Sequence, residues 1–271
     1  MEGQQMPSPL DPKDRLIGVL HLLPTPGAPI AGEDAMASLV ARAVADAQAY
    51  VAGGISTLVV ENYHDAPFFK DEVGPATCAA MTVAAARVLA LTGVDSLGIN
   101  VLRNDARGAL GIAAAVGADF IRVNVHTGSM YTDQGLIEGR SADTMRQRAA
   151  LCPRVRVLAD VHVKHATPVA GEVLEDAARD AVHRGRADGL IVSGVATGAP
   201  PSAERVERVR HAVGDSVPIL IGSGFNLENA GALLAHADRA IVGTAAKQDG
   251  DVLAPVDPDR VRALVVAAAC D

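Results

Sequence analysis

An α/β fold of the (β/α)8 TIM-barrel class, eight parallel strands ringed by eight helices, is what this sequence predicts. Three observations carry the prediction. Short β-branched runs alternate without a break with longer Ala-rich stretches of helical period, the pattern of repeated βα units. Turns of a few residues containing Gly, as in AVGADF and RGRADG, lead into strands, whereas the connections that leave strands are longer and more varied. The length of 271 residues is close to the ~250 typical of such barrels. A doubly wound open sheet is the alternative that the same alternation leaves open.

The strands are expected at residues 16–20, 57–61, 97–101, 119–124, 155–163, 188–192, 217–221 and 238–242. Helices are expected near 33–52, 77–91, 105–116, 141–151, 172–185, 202–213, 226–235 and 258–269, several opened by an acidic or Ser/Asn cap and closed by Gly. No linker, low-complexity segment or charge block divides the chain. It therefore reads as a polar, flexible segment over residues 1–14 followed by one barrel domain over 15–271.

Hydrophobic residues make up 49% of the chain, so a large core is available without Trp and with only 4 Phe. The net charge of −8 is spread along the sequence, and no basic cluster interleaves with aromatics, which argues against nucleic acid as a partner. The first residues lack a basic stretch followed by an apolar run, and no apolar run approaches the ~18 residues of a membrane span. Cys78, Cys152 and Cys270 are widely separated and lack zinc or disulfide spacing. A cytoplasmic protein with reduced thiols is the expectation, and self-association into a homo-oligomer is compatible with it.

The chemistry begins after the seventh and eighth strands, where the chain reads IGSGFN and VGTAAK. Barrels commonly seat a phosphate between these two loops, because Gly permits close backbone approach and amide groups point at the anion. Gly222, Ser223, Gly224, Gly243 and Thr244 are the phosphate-binding candidates, with Lys247 nearby in the same motif. The plain alternative is that these glycines serve tight turns and strand-helix packing.

On the fifth strand, ADVHVKHA places Asp160, His162 and Lys164 at alternate positions, which predicts one inward face for all three and an outward face for Val161 and Val163. Ionisable groups in a barrel interior are costly unless they pair with each other or with a ligand. Lys164 is read as a general base or Schiff-base nucleophile, His162 as an alternative base, Asp160 as the group orienting it, and Glu61 as the complementary acid. An internal Asp160–Lys164 ion pair is the structural alternative. His21, Asn100, Arg122, Asn124 and Ser193, all at or just beyond strand ends, complete the set as substrate-binding candidates.

No cofactor is required by this reading. A divalent metal held by Glu61, Asp160, His162 and His165 is a weaker alternative, since the first strand lacks the paired His that many metal-dependent barrel hydrolases place there. Residues 62–76 and 125–140 are long enough to act as covers, and with Phe120 counted they hold three of the Phe residues in or near them.

These motifs together, IGVLHLLPTPG, VVENYHDAPFFK, GINVLRND, FIRVNVHTG, TDQGLIEG, ADVHVKHA, IVSGVATG, IGSGFN and IVGTAAK, resemble the BtpA/SgcQ family over about residues 15–262. The resemblance implies a barrel of the ribulose-phosphate-binding kind. One branch of that family takes its name from a role in photosystem I accumulation, and another is similar to a partner of carbohydrate-uptake and sugar-phosphate genes. The Ala/Arg/Val-rich composition points to a GC-rich bacterial source. The leading expectation is an enzyme of the isomerase or lyase class that abstracts a proton next to a carbonyl of a small phosphorylated sugar or related metabolite. A non-catalytic assembly or regulatory factor of the photosystem I biogenesis type, and a metal-dependent hydrolase or nucleosidase-like enzyme, stand as the alternatives.

Overall fold

The computed structural model describes residues 15–169, 171–194 and 198–269. The N-terminal segment over residues 1–14 and Cys270 lie outside them. Eight strands close a parallel barrel in the order β1 (Leu16–His21), β2 (Thr57–Glu61), β3 (Ser96–Asn100), β4 (Phe120–Val123), β7 (Arg156–Val161), β9 (Gly189–Val192), β10 (Ile219–Ile221) and β11 (Arg239–Val242), with β11 pairing back onto β1. These are the eight strands that the β-branched runs predict. The helices α1 (Ala35–Gly53), α2 (Pro75–Leu89), α3 (Ala106–Val116), α4 (Ser141–Leu151), α5 (Leu174–Arg179), α6 (Ala203–Val213), α7 (Ala230–Leu234) and α8 (Pro258–Ala269) form the outer ring. A π turn over Asp180–Arg184 extends α5. Asp105 and Ser202 cap α3 and α6 by accepting from the amides of Gly108 and Arg205.

Alternation along each strand sorts residues into two layers. Ile17, Val19, Val59, Phe120, Leu158, Ile191, Leu220 and Ile241 fill the barrel axis, while residues such as Ile99, Ile121, Ala159 and Val161 pack outward against the helices. Gly98 makes room for the Phe120 ring, which a Cβ there would meet at 2.0 Å. Phe120 is thus a plug of the barrel and not part of a cover, a correction to the expectation from its loop proximity. Two residues beyond the apolar layer the inward positions turn polar. The register joins His21 to Glu61, Glu61 to Asn100 and Asn100 to Arg122, so four polar side chains form one row across adjacent strands.

The segment 125–140 is no plain loop. It folds into the hairpin β5 (Ser129–Thr132) and β6 (Gly135–Glu138), and β8 (Ala166–Pro168) from the connection after β7 adds a third antiparallel strand. Val125, Met130, Ile137 and Val163 form a small core beneath it.

Lys247, grouped by its motif with the glycine loop, is fully buried and turned away from that loop. Its ammonium lies 3.0 Å from Asp46 of α1, which also accepts from Arg42 at 2.9 Å and from the amide of Val256 at 2.8 Å. This pair fastens the chain after β11 to the outer ring. Removing one partner of a buried pair strands the other charge, a loss of about 3–5 kcal/mol. Asp46→Asn is therefore expected to cost that order of stability in chemical denaturation, and a loss below 1 kcal/mol would show that the ammonium reaches water.

Candidate active site

The strand ends open into a cavity of about 300 Å³. Its floor is Val19, His21, Glu61, Arg122, Ile241 and Lys164, and its wall is formed by Gly222, Ser223, Gly224 and Phe225 after β10 with Gly243, Thr244 and Ala245 after β11. The two glycine-rich loops and the polar strand ends, selected separately in the sequence, thus border one space.

Asp160 organises the floor. Arg122 donates to both of its oxygens, Nε at 2.8 Å and Nη2 at 2.9 Å, while Asn124 donates to Oδ2 at 3.2 Å and Ser193 to Oδ1 at 3.1 Å. Burial alone would depress the Arg122 pKa, but Asp160 and Glu61 together hold it above the ordinary guanidinium range. Asp160 therefore orients Arg122, and the expectation that it orients or pairs with Lys164 is corrected: its hydrogen bonds all go to β4, its extension and Ser193.

Glu61 is the second acidic group of the floor. It accepts from Asn100 Nδ2, lies 3.8 Å from His21 Nε2 and sits 4.0 Å from Arg122 Nη1. His21 stacks on Tyr63 at 4.3 Å between ring centroids. Burial, followed by the nearby charges of Lys247 and Lys164, pushes its pKa well below the usual imidazole value, so the ring is neutral.

The fifth predicted strand behaves as expected only as far as Val161. Asp160 points inward and Val161 outward, but β7 ends there, and His162 and His165 adopt positive φ angles of 50° and 56°. The alternation that placed three ionisable groups on one face is broken at the first of these residues. His162 turns to Glu172, 3.1 Å away, and does not line the cavity, so its predicted inward orientation is corrected. Lys164, three residues past the end of β7, does line the cavity. Among the described residues Lys164 forms no ion pair. Its burial, assisted by Arg122 and Arg103, outweighs the pull of Glu61 and Asp160 and lowers its pKa from the ordinary lysine value.

On the wall, Gly222 and Gly243 are tight. A Cβ at Gly222 would meet Ser193 Oγ at 2.4 Å, and one at Gly243 would meet Val19 at 2.7 Å and His21 at 3.0 Å. Gly224 has φ of 70°, and a Cβ there would strike the Pro200 backbone at 2.2 Å. Among the described residues, the amides of Ser223, Gly224, Thr244 and Ala245 donate to no protein acceptor. Ser223 Oγ accepts from the Gly194 amide and donates to the Ala199 carbonyl, so its hydroxyl is used structurally.

Sequence reasoning missed Arg260, whose Nε donates to the Ala245 carbonyl at 3.0 Å and which lines the cavity from the first turn of α8. The signal was available, since the helix after the eighth strand begins beside the glycine loop. It also passed over Arg103, which is buried and donates to the Lys164 carbonyl at 2.8 Å. No three His, Cys, Asp or Glu residues converge as metal ligands among the described residues. Glu61 and Asp160 are tied up with Asn100 and Arg122, and His162 faces Glu172.

A family model described as the BtpA family matches residues 12–270. The photosystem I biogenesis protein BtpA of Synechocystis sp. is 46% identical over 94% of this chain and 88% of its own length. A protein of Pyrococcus furiosus is 43% identical, covering 93% of this chain and 94% of its own, and a mitochondrial protein of Caenorhabditis elegans is 31% identical, covering 91% and 90%. The bacterial expectation thus does not extend to these relatives as a group, which include an archaeal and an animal protein. Among solved structures, a thiamine phosphate pyrophosphorylase from Pyrococcus furiosus aligns with a TM-score of 0.58 at 15% identity, covering 94% of this chain and 96% of that one. A phosphoribosyl anthranilate isomerase from Thermus thermophilus gives 0.57 at 12% identity over 94% and 98%. At such identity these two speak for the barrel fold alone. The family match over nearly the whole chain and the 46% identity settle the assignment: this chain belongs to the BtpA family.

Proposed function

We propose that this chain is an enzyme acting on a phosphorylated sugar or related small metabolite, by isomerisation, epimerisation or carbon-carbon cleavage through proton abstraction next to a carbonyl. One observation carries the reading. A single cavity joins a wall whose amides after β10 and β11 meet no acceptor among the described residues to a floor where Lys164, Glu61, His21 and Arg122 converge. The wall suits a phosphate, with the amides of Ser223, Gly224, Thr244 and Ala245 as donors and Arg260 as the flanking cation. The names of the structural neighbours, a thiamine phosphate pyrophosphorylase and a phosphoribosyl anthranilate isomerase, fit a phosphorylated ligand in a barrel of this shape.

Lys164 takes the base or Schiff-base role, because burial lowers its pKa and favours its neutral amine, and among the described residues it forms no ion pair. Glu61 is the complementary acid. Arg122 positions an oxygen atom, Asp160 holds Arg122 in place, Asn100 holds Glu61 and does not line the cavity, and His162 is withdrawn from the catalytic set. A non-catalytic role in photosystem I biogenesis is the second reading, favoured by the printed name of the Synechocystis relative.

Lys164→Met keeps most of the stem and deletes the ammonium. Turnover is expected to fall by roughly 10²–10⁴, the usual contribution of a positioned acid or base, with little change in Tm. Borohydride with substrate would trap an adduct on the wild type only if Lys164 forms a Schiff base. A large drop in Tm with ligand binding preserved would instead assign Lys164 a structural role.

The pH profile supplies an independent check. Both roles of Lys164 need the neutral amine, so kcat/KM should rise with pH through a pKa below that of an ordinary lysine, and this limb should vanish in Lys164→Met. A rising limb at the ordinary lysine value would contradict the burial account.

A further inference from the structure

A buried guanidinium ordinarily meets a carboxylate, because an unpaired charge is costly away from water. Arg103, three residues beyond β3, is 5% exposed and forms no ion pair among the described residues. Its Nη2 donates instead to the Lys164 carbonyl at 2.8 Å, linking the ends of β3 and β7, which lie on either side of β4 in the barrel order. Arg103 is itself fixed. Its amide donates to the Phe69 carbonyl at 3.1 Å, and the next residue, Asn104, exchanges two side-chain bonds with the Val125 backbone at 3.0 and 2.8 Å.

The turn that carries Lys164 needs such a hold. His162 and His165 on either side have φ of 50° and 56°, a region that residues with a Cβ rarely adopt and that persists only where the surroundings over-determine it. Val163 in the small rim core, His162 at Glu172 and the Lys164 carbonyl at Arg103 fasten this turn. A carbonyl alone does not call for a guanidinium, since a neutral amide donor would satisfy it. What a guanidinium adds is a permanent charge. Burial is the largest influence against the ammonium form of Lys164; Glu61 and Asp160 favour that form, Arg122 and Arg103 oppose it, and His21 and His165 are the neighbouring imidazoles. Without Arg103 the two carboxylates would outnumber Arg122.

Resting on the reading of Lys164 as base or Schiff-base nucleophile, we infer that Arg103 is a positioning residue of the candidate active site. It holds the Lys164 backbone where the side chain lines the cavity, and it supplies the second cation that balances Glu61 and Asp160. Arg103 does not line the cavity itself, so it acts through Lys164.

Competitive labelling of the full chain with trace acetic anhydride tests this without a substrate. Only a neutral amine reacts, so the labelling rate of each of the four lysines against pH reports its protonation, with the exposed Lys70 as rate standard. In the wild type, Lys164 is expected to titrate below the ordinary lysine value. In Arg103→Met its titration should move upward and its labelling at neutral pH should slow roughly three- to tenfold, whereas Arg103→Lys, which keeps the charge, should stay close to wild type. Arg103→Gln, equally neutral, takes the place of the Met variant if that one does not fold. Neutral and Lys variants in which Lys164 titrates alike would make Arg103 a structural brace, whatever their Tm, and would overturn the inference while leaving Lys164 its role. A wild-type Lys164 that titrates at the ordinary lysine value would overturn the reading of Lys164 itself, and the inference with it.

Discussion

With both oxygens of Asp160 engaged by Arg122 at 2.8 and 2.9 Å, neither charge can be withdrawn without stranding the other among side chains that are almost wholly buried. A pair in such a place is stable only when its remaining lone pairs are also met, and Asn124 and Ser193 meet them. The result is a rigid cross-link of β4, β7 and the residue following β9 at the level where the barrel interior changes from apolar to polar. The direction of the Arg122 guanidinium, and through it the surroundings of Glu61, follow from that link.

The apolar layer beneath makes the polar one affordable. Phe120 fills the axis because Gly98 opposite has no side chain, and Leu158, Ile191 and Leu220 complete the plug. Water is kept from below, so charges at the strand ends act through a low dielectric and shift one another strongly. Lys164 and His21 both lose protons more readily than in water for this reason. The same enclosure accounts for the tightness of Gly222 and Gly243, whose backbones sit where any Cβ would enter the polar layer.

Above the strand ends, the connections after β4 and β7 are tied into one three-stranded sheet, and the chain after β11 is anchored through Lys247 to Asp46. Three neighbouring sectors of the rim are thereby held by different means: a hydrogen-bonded ladder, a buried ion pair, and glycine turns packed on the floor. The cavity shape is a product of all three.

How much of this the sequence determined by itself follows from the range over which each signal acts. Strand and helix positions are written in local periodicity, so all eight barrel strands and the inward facing of Asp160, Arg122 and Glu61 were legible, as were the glycine loops after the last two strands. Alternation, however, holds only while the backbone stays extended. The positive φ at His162 ended it and sent that ring to Glu172, a contact ten residues away that no period encodes. The ion pair of Lys247 was illegible for a similar reason, since its partner Asp46 lies 201 residues away in sequence. The hairpin of β5 and β6 became recognisable as structure only when β8 supplied its third strand, and Arg260 joined the cavity only when α8 closed the ring. Which residues face inward was thus a local matter, whereas which charges meet, and which are left for a ligand, was decided by closure of the barrel, because pairing energies depend on distances that only the tertiary structure sets.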